Sequence, residues 1–211
     1  MQPKELVDYA TREFHPDGVA LKTGKWTGTE CYYVKKDDEI AFSFYGSEAI
    51  WTWGGVVDWF FNLLCLFVPP VFSLFKYKAL VHTGFYLKAL SVEREIEKII
   101  EREKPKKVYF DGHSAGGGTA ILEYRRFRKE YNCECVVFGS ARPFFLFFEK
   151  NDPNITVYRN ANDPVPYTPF PLIYRHGGKI EKRGIANKKF FVGQFIDHVP
   201  ASYRKMFIEG L

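Results

Sequence analysis

The stretch that most constrains the fold is an apolar run at residues 108–110, which leads through Asp111 into Gly-His-Ser-Ala-Gly at residues 112–116. Glycines on both sides of a serine predict a strand, a very tight turn and a helix whose backbones pass too close together for side chains. Such a turn, here called the elbow, holds Ser114 in a strained conformation at the carboxyl end of the strand, with its hydroxyl exposed. The helix that follows directs free backbone N–H groups toward the same point.

A glycine-rich turn between a strand and a helix has other possible explanations. A phosphate-binding loop requires Gly-Lys followed by Ser or Thr, and a dinucleotide-binding turn requires Gly-x-Gly-x-x-Gly; neither pattern occurs here. A purely structural Gly-Ser turn remains possible. We interpret Ser114 as a candidate nucleophile, which needs a base and an orienting acid from elsewhere in the chain.

Composition narrows the class of protein. With 211 residues, of which 46% are hydrophobic, the chain is predicted to form a single domain over residues 1–211 with one large core. The formal net charge of +5 is a mild basic excess, compatible with contact to anionic lipid surfaces and no evidence for nucleic-acid binding. The four cysteines form no Cys-x-x-Cys pairs or Cys/His clusters, so we predict no metal site.

The amino-terminal sequence lacks the apolar core of a signal peptide. We therefore expect a cytoplasmic protein with reduced thiols, or a secreted one if a leader has been removed. The sequence contains no indication of the oligomeric state.

Hydrophobic periodicity predicts an α/β chain. Strands that alternate with helices through the middle of the chain predict a mainly parallel central sheet with helices on both faces. Helices are predicted over residues 4–14, 83–103, the segment after Ser114 and 199–209. Strands are predicted over 29–34, 40–45, the apolar run before the elbow, 135–139 and 155–159. Residues 174–184 are predicted to form a hairpin that turns at Gly177-Gly178.

An apolar segment around residues 48–76 is predicted to be lid-like. Residues 56–75 are nearly all apolar, and the segment is long enough for a membrane-spanning helix. However, Asp58, Asn62 and the Pro69-Pro70 pair argue against a spanning helix. A flap or pocket wall that contacts a membrane or micelle surface remains possible, and so does simple core packing.

A serine hydroxyl becomes a good nucleophile only when a base takes its proton. Of the five histidines, His198 lies in a loop before the last predicted helix, where it could reach the elbow, and it is our candidate base. An ordinary helix-capping histidine is the alternative interpretation. His113 adjoins Ser114, and we expect its ring to pack beneath the turn; we also count it, with Trp59, among the candidate substrate-binding residues.

The acid is expected between Ser114 and His198 in chain order. Asp163 follows a predicted strand in a loop stiffened by flanking prolines, and it is our candidate, although a turn aspartate would look the same. Asp152 lies in a similar turn and is an alternative. Asp197 is a poorer one, because sequence neighbours rarely orient each other's side chains well.

An ester reaction at Ser114 would generate an oxyanion that needs two hydrogen-bond donors. The backbone N–H of Ala115 is the first candidate, because it directly follows the nucleophile. The second donor is expected from the loop after an earlier strand, where Ser47 stands.

Six motifs between residues 29 and 207 recur together in one known family: Phe44-Tyr45-Gly46-Ser47, Asp58-Trp59, Val81-His82-Thr83-Gly84-Phe85, Gly112-His113-Ser114-Ala115-Gly116-Gly117, Phe138-Gly139-Ser140-Ala141-Arg142-Pro143 and Asn162-Asp163-Pro164-Val165-Pro166. In this combination the chain resembles the fungal-type (class 3) lipase family. It departs from the family pattern at Asp111, where an uncharged residue is usual.

The resemblance implies an α/β-hydrolase fold, a triad of Ser114, Asp163 and His198, and action on acyl esters of lipids. We therefore predict a serine carboxylester hydrolase, a lipase or esterase, which needs no cofactor and takes a lipid or small ester as substrate. Two alternatives stay open. One is a phospholipase or acyltransferase with the same triad, and the other is a membrane-docking module with a vestigial triad.

Overall fold

The computed structural model describes eight stretches of the chain: residues 1–11, 18–21, 27–45, 71–73, 79–145, 151–169, 172–186 and 196–210. The helices are α1 (Pro3–Ala10), α2 (Thr83–Glu103), α3 (Ala115–Phe127) and α4 (Pro200–Ile208). The strands are β1 (Val19–Ala20), β2 (Cys31–Lys36), β3 (Glu39–Phe44), β4 (Val71–Ser73), β5 (Ala79–Val81), β6 (Lys107–His113), β7 (Cys133–Phe138), β8 (Phe144–Phe145), β9 (Asp152–Asn160), β10 (Tyr174–Arg175) and β11 (Gly178–Arg183).

The main sheet has seven strands within the described stretches, in the order β1-β2-β3-β6-β7-β9-β11. The five strands from β3 to β11 pair in parallel, whereas β1 and β2 are antiparallel to their neighbours. The predicted, mainly parallel sheet is therefore confirmed. β6 lies at its centre, and its residues from Val108 to His113 are all buried, as expected for a central parallel strand covered on both faces.

Helices cover both faces of this sheet, as predicted. On one face α2 and α3 pack over apolar side chains such as Phe42, Phe110 and Val137. On the other face α1 and α4 pack over Ala41 and Phe138. Each helix places one apolar stripe on the sheet, so the two faces form two separate clusters of buried side chains.

The predicted hairpin over residues 174–184 is wrong. β10 pairs antiparallel with β8 in a second sheet of order β10-β8-β5-β4, whereas β11 pairs in parallel with β9 at the end of the main sheet. The chain does turn at Gly177, which has a φ of 76°. The two strands do not pair with each other because each is hydrogen-bonded to a strand of a different sheet.

The predicted lid-like segment lies largely outside the described residues. Of residues 48–76 only β4 is described, so the lid stays a prediction. In the part of the chain that is described, no helix has both the length and the apolar character needed to cross a membrane.

Candidate active site

The turn at Ser114 has the sharp geometry that its glycines predict. Ser114 joins β6 to α3 with a φ of 57° and a ψ of −127°. A Cβ on Gly112 would lie 2.8 Å from the backbone of Gly116. A Cβ on Gly116 would lie 2.3 Å from the carbonyl oxygens of Phe44 and Tyr45. Side chains at either glycine would therefore push the elbow apart.

Three side chains that are distant in sequence meet at this turn. The Ser114 hydroxyl lies 2.9 Å from Nε2 of His198, and Nδ1 of His198 lies 2.8 Å from Oδ2 of Asp163. With the Nδ1–H donating to the carboxylate, Nε2 is left as an acceptor for the serine proton. The structure thus brings together the nucleophile, base and acid that the sequence nominates.

Asp163 reaches the site from the loop after β9, and its side chain is completely buried. Its Oδ1 accepts the backbone N–H of Val165 at 2.8 Å. Its Oδ2 accepts hydrogen bonds from His198 and from the Tyr203 hydroxyl, the latter at 2.5 Å. Arg159 donates to the main-chain oxygen of Asp163 at 3.0 Å. The three donors on Oδ1 and Oδ2 satisfy a carboxylate that water does not reach.

Gly139 lies directly against this junction. Its φ is 56°, and a Cβ there would lie 2.8 Å from Oδ2 of Asp163, 2.9 Å from the Tyr203 hydroxyl and 3.1 Å from Nδ1 of His198. Only glycine leaves room for these groups to converge. The motif that contains Gly139 is visible in the sequence, but this contact cannot be predicted from it.

His113 packs beneath the turn, as one of our two expectations stated. Its Nε2 lies 2.8 Å from the main-chain oxygen of His198, and the two imidazole rings stack with centroids 4.8 Å apart. Burial, and then repulsion by His198, lower the pKa of His113 to about 3, so the neutral ring donates to that carbonyl. We therefore revise His113 from a substrate-binding residue to a support for His198, because its buried ring contacts the base instead of open space.

The predicted oxyanion donors are only partly described. Ala115 begins α3 immediately after Ser114, as expected. Ser47 and Trp59 lie outside the described residues, so their roles stay predictions. The contact between Gly116 and the Phe44–Tyr45 backbone brings the chain that leads to Ser47 against the first turn of α3.

The alternative acids make other contacts. Asp152 pairs with Arg125 at 3.3 Å and also with Arg128. Asp197 accepts the backbone N–H of Asn162 at 3.2 Å through its carboxylate. Neither of these contacts involves the imidazole of His198, so the geometry favours Asp163.

Two other histidines have structural contacts. His82 accepts the N–H groups of Gly84 and Phe85 through Nδ1 and so caps α2. His176 is buried against Ser140, whose main-chain oxygen lies 2.7 Å from its Nε2. Burial is the main cause that lowers the pKa of His176 to about 4. The polar and glycine residues next to His176 in the sequence, Arg175 and Gly177-Gly178, give no sign that this ring is buried.

Asp111, the departure from the family pattern, is completely buried. Its Oδ2 accepts the Ser43 hydroxyl at 2.9 Å, and its Oδ1 has no hydrogen-bond partner among the residues that the structure describes. Burial raises the pKa of Asp111 well above its usual value, so the group is kept neutral. Within the described stretches no group of His, Cys, Asp and Glu side chains is arranged to hold a metal ion.

The sequence profile of the family described as Lipase (class 3) matches residues 42–172, more than half of the chain. The chain belongs to the class 3 lipase family. The matched region contains Ser114 and Asp163 but ends before His198, so only the folded structure connects that histidine to the other two. Comparison with curated protein sequences finds no significant match.

Solved lipase structures share the fold of this class 3 lipase family member. A Rhizomucor miehei lipase in complex with its propeptide superposes with a TM-score of 0.60 at 21% identity, covering 87% of this chain and 65% of that chain. Lip2 lipase from Yarrowia lipolytica gives 0.62 at 15% identity, covering 84% of this chain and 77% of that chain. The lipase from Rhizopus microsporus var. chinensis gives 0.61 at 20% identity, covering 87% and 74%. The chain therefore has the predicted α/β-hydrolase fold, and it spans about two thirds of the Rhizomucor miehei chain.

Proposed function

We propose that this member of the class 3 lipase family is a serine carboxylester hydrolase acting on acyl esters of lipids. The observation that carries the proposal is the continuous hydrogen-bonded line from the Ser114 hydroxyl through His198 to Asp163, with separations of 2.9 Å and 2.8 Å. A nucleophile, a base and an orienting acid in this order are what acyl transfer from an ester to water requires.

The first half of the proposed reaction forms an acyl-enzyme. The oxygen of Ser114 attacks the ester carbonyl carbon while its proton passes to Nε2 of His198. Asp163 holds the tautomer of His198 and stabilises the imidazolium that forms. The carbon–oxygen bond to the alcohol then breaks, and His198 returns the proton to the departing alkoxide, releasing a neutral alcohol.

The second half releases the acid. A water molecule attacks the acyl carbon, His198 takes one of its protons, and the bond to Ser114 breaks as the proton returns to the serine oxygen. In both halves the negative oxygen is bound by the N–H of Ala115 and, in this proposal, by Ser47. The positive end of the α3 dipole points at the same oxygen and favours its charge.

Exposed apolar side chains close in sequence to His198 and Asp163 favour a lipid acyl chain over a small polar ester. Ile196 and Val199 flank His198 and are 41% and 42% exposed. Tyr167 and Leu172, in the segment that follows Asp163, are 44% and 85% exposed. Exposed apolar groups at the ends of two loops that carry the triad suit contact with acyl chains at a micelle or membrane surface.

A fluorophosphonate probe tests the nucleophile. It should label the wild-type protein covalently at Ser114, as located by mass spectrometry of the modified peptide. Ser114→Ala should abolish labelling, whereas Ser91→Ala is the matched control, because the Ser91 hydroxyl binds the Lys88 carbonyl oxygen at 2.6 Å. Absence of labelling in a folded wild-type protein would contradict the proposal.

Rates across p-nitrophenyl esters of increasing chain length, with and without micelles, test the substrate class. We expect higher kcat/KM for longer chains and a further rise in micelles. Preference for the shortest ester, unchanged by micelles, would contradict a lipid substrate. Product analysis with an added alcohol acceptor and with phospholipids separates hydrolysis of glycerides from acyl transfer and from phospholipase activity.

A further inference from the structure

The hydroxyl of Tyr203 is the third polar group at the junction of Asp163 and His198. Tyr203 lies in α4, five residues after His198, and its side chain is completely buried. Its hydroxyl oxygen lies 2.5 Å from Oδ2 of Asp163, the same oxygen that accepts the hydrogen bond of His198. The sequence gives no sign that Tyr203 contacts the candidate acid, because a tyrosine in an amphipathic helix is usually a core residue.

The direction of this hydrogen bond follows from a second contact. The backbone N–H of Asn160 donates to the Tyr203 oxygen at 3.0 Å. Since that N–H occupies the acceptor side of the oxygen, the hydroxyl proton is directed to Asp163. Burial, and then the charge of Asp163, raise the pKa of Tyr203 well above its usual value, so the phenol keeps its proton and remains a donor.

The contacts of Tyr203 fix how the carboxylate of Asp163 is rotated. Oδ1 is held by the N–H of Val165 at 2.8 Å, and Oδ2 is held by Tyr203 as well as by His198. The backbone of Gly139 lies against this hydrogen bond, since a single methyl group there would collide with Oδ2 of Asp163 and with the Tyr203 hydroxyl oxygen. The ring of Tyr203 is itself packed edge-on against His113, with centroids 5.4 Å apart.

We propose that Tyr203 is a positioning residue for the hydrolysis proposed above: its hydroxyl holds the carboxylate of Asp163 in the rotamer that orients His198 toward Ser114. This inference rests on the proposed function for its chemistry. Tyr203 acts through Asp163 and has no exposed surface with which to contact a substrate.

The hydrogen bond also affects how strongly Asp163 binds His198. Two donors on one oxygen share its negative charge, so removing the phenol leaves more of that charge facing the imidazole. The Nδ1–H group of His198 then makes a stronger hydrogen bond to Asp163. Other polar or titratable groups that face the pair remain in place in such a variant: Ser114, the neutral ring of His113, Arg159 on the Asp163 carbonyl, and Asp197, whose carboxylate turns to the Asn162 N–H.

The variant that tests the inference is Tyr203→Phe, with Tyr158→Phe as its matched control. Tyr158 belongs to the same buried cluster, and both rings pack against Phe138. Its hydroxyl is not part of the Asp163 junction. Both variants remove one phenol oxygen from this aromatic cluster, but only Tyr203→Phe removes a donor from the acid.

We expect Tyr203→Phe to lower kcat for a p-nitrophenyl ester roughly tenfold with KM unchanged, because the acid is less well oriented and no substrate contact is lost. The NMR signal of the His198 Nδ1–H proton should move downfield, because its hydrogen bond to Asp163 becomes stronger. Tyr158→Phe should leave kcat and this chemical shift at their wild-type values. Wild-type values in Tyr203→Phe, or an equal loss in both variants, would overturn the positioning role.

NMR of the His198 Nδ1–H proton separates this inference from the proposed function. Its chemical shift is measured with labelled histidine in Ser114→Ala and in Ser114→Ala/Tyr203→Phe, where no turnover is needed. A downfield shift caused by Tyr203→Phe, without turnover of any ester by the wild type, contradicts only the proposed function. Turnover by the wild type with no shift and no loss of kcat contradicts only the role of Tyr203.

A measurement on the unmodified protein covers the case in which Tyr203→Phe does not fold. The Tyr203 hydroxyl proton should be visible as a slowly exchanging NMR signal in protein with labelled tyrosine, because it is buried and hydrogen-bonded. Fast exchange of that proton with water would contradict the hydrogen bond on which the inference depends.

Discussion

At the scale of single residues, two features stand out: the missing side chain at Gly139, beside the triad, and the buried carboxyl at Asp111, three residues before Ser114. Gly139 combines a φ of 56° with a position against both the acid and the base. Among the described residues Asp111 makes one hydrogen bond, from Ser43, and it has no exposed surface. A buried carboxyl with so few partners is unusual, and such departures are typical of positions near a functional site.

Gly139→Ala should abolish turnover, because its Cβ would lie 2.8 Å from Oδ2 of Asp163. We expect kcat to fall by at least about a hundredfold, as for other displacements of reacting groups by an ångström. Gly210→Ala is the matched control, since Gly210 has a φ of 66° with nothing within 4 Å of the added carbon. Steady-state kinetics and thermal unfolding of both variants check this; retained kcat in Gly139→Ala would show that the junction can adjust.

Asp111→Asn should stabilise the protein increasingly as pH rises. In the unfolded chain an aspartate ionises above about pH 4, whereas burial keeps the pKa of folded Asp111 well above that value. The wild type therefore loses about 1.4 kcal/mol of unfolding free energy per pH unit relative to the variant, between pH 4 and the folded pKa. Urea unfolding at pH 5 and pH 7 measures the difference, and an equal difference at both pH values would contradict a buried neutral acid.

At the scale of elements, the site depends on how closely α3 begins against the end of β3. Gly116 touches the backbone of Phe44 and Tyr45, which cannot move without shifting the strand. Gly118, two residues further along α3, has the ring of Phe85 as its nearest neighbour. A backbone neighbour is rigid and a side-chain ring can rotate, so equivalent substitutions at the two glycines have different consequences.

Gly116→Ala should destabilise the protein by about 3 kcal/mol or more, because its Cβ would lie 2.3 Å from two carbonyl oxygens. Fluorophosphonate labelling at Ser114 should be lost with it. Gly118→Ala should stay within about 1 kcal/mol of the wild type, since the added carbon meets the Phe85 ring at 3.0 Å while alanine favours the helix. Urea unfolding of the pair checks this, and equal losses would refute the importance of the strand contact.

At the scale of the whole molecule, two buried neutral imidazoles make stability depend on pH. Burial lowers the pKa of His113 to about 3 and that of His176 to about 4. In the unfolded chain both rings have the pKa of a free histidine, about 6.5. As pH falls from there toward about 4, the unfolded state gains protons that the folded state does not, so stability decreases.

His176→Gln should reduce this loss, because glutamine can still donate to the Ser140 carbonyl and does not titrate. Between about pH 6 and pH 4.5 the wild type should lose roughly 1.4 kcal/mol per pH unit more than the variant. Urea unfolding at several pH values in this range measures both slopes. Parallel slopes would show that His176 is protonated in the folded protein.

The element plan was largely predictable because it depends on local patterns. The prediction of a helix over residues 83–103 matches α2, whose apolar stripe repeats at helical spacing. The strand and helix around Ser114 were predictable because glycine spacing reports where two backbones pass closely. The hairpin over 174–184 failed because strand pairing is decided by partners far away in the chain, and β11 pairs with β9.

The sequence by itself determined the elbow, the alternation of strands and helices and the types of residue available for acyl chemistry. Only the tertiary structure decided that Ser114, Asp163 and His198 share one line of hydrogen bonds, that His113 supports the base and that Tyr203 donates to the acid. The physical reason is the sequence distance over which each kind of interaction acts. Backbone conformation responds to neighbours within a few residues, whereas a hydrogen bond between side chains 35 to 84 residues apart exists only after the sheet has assembled and excluded water.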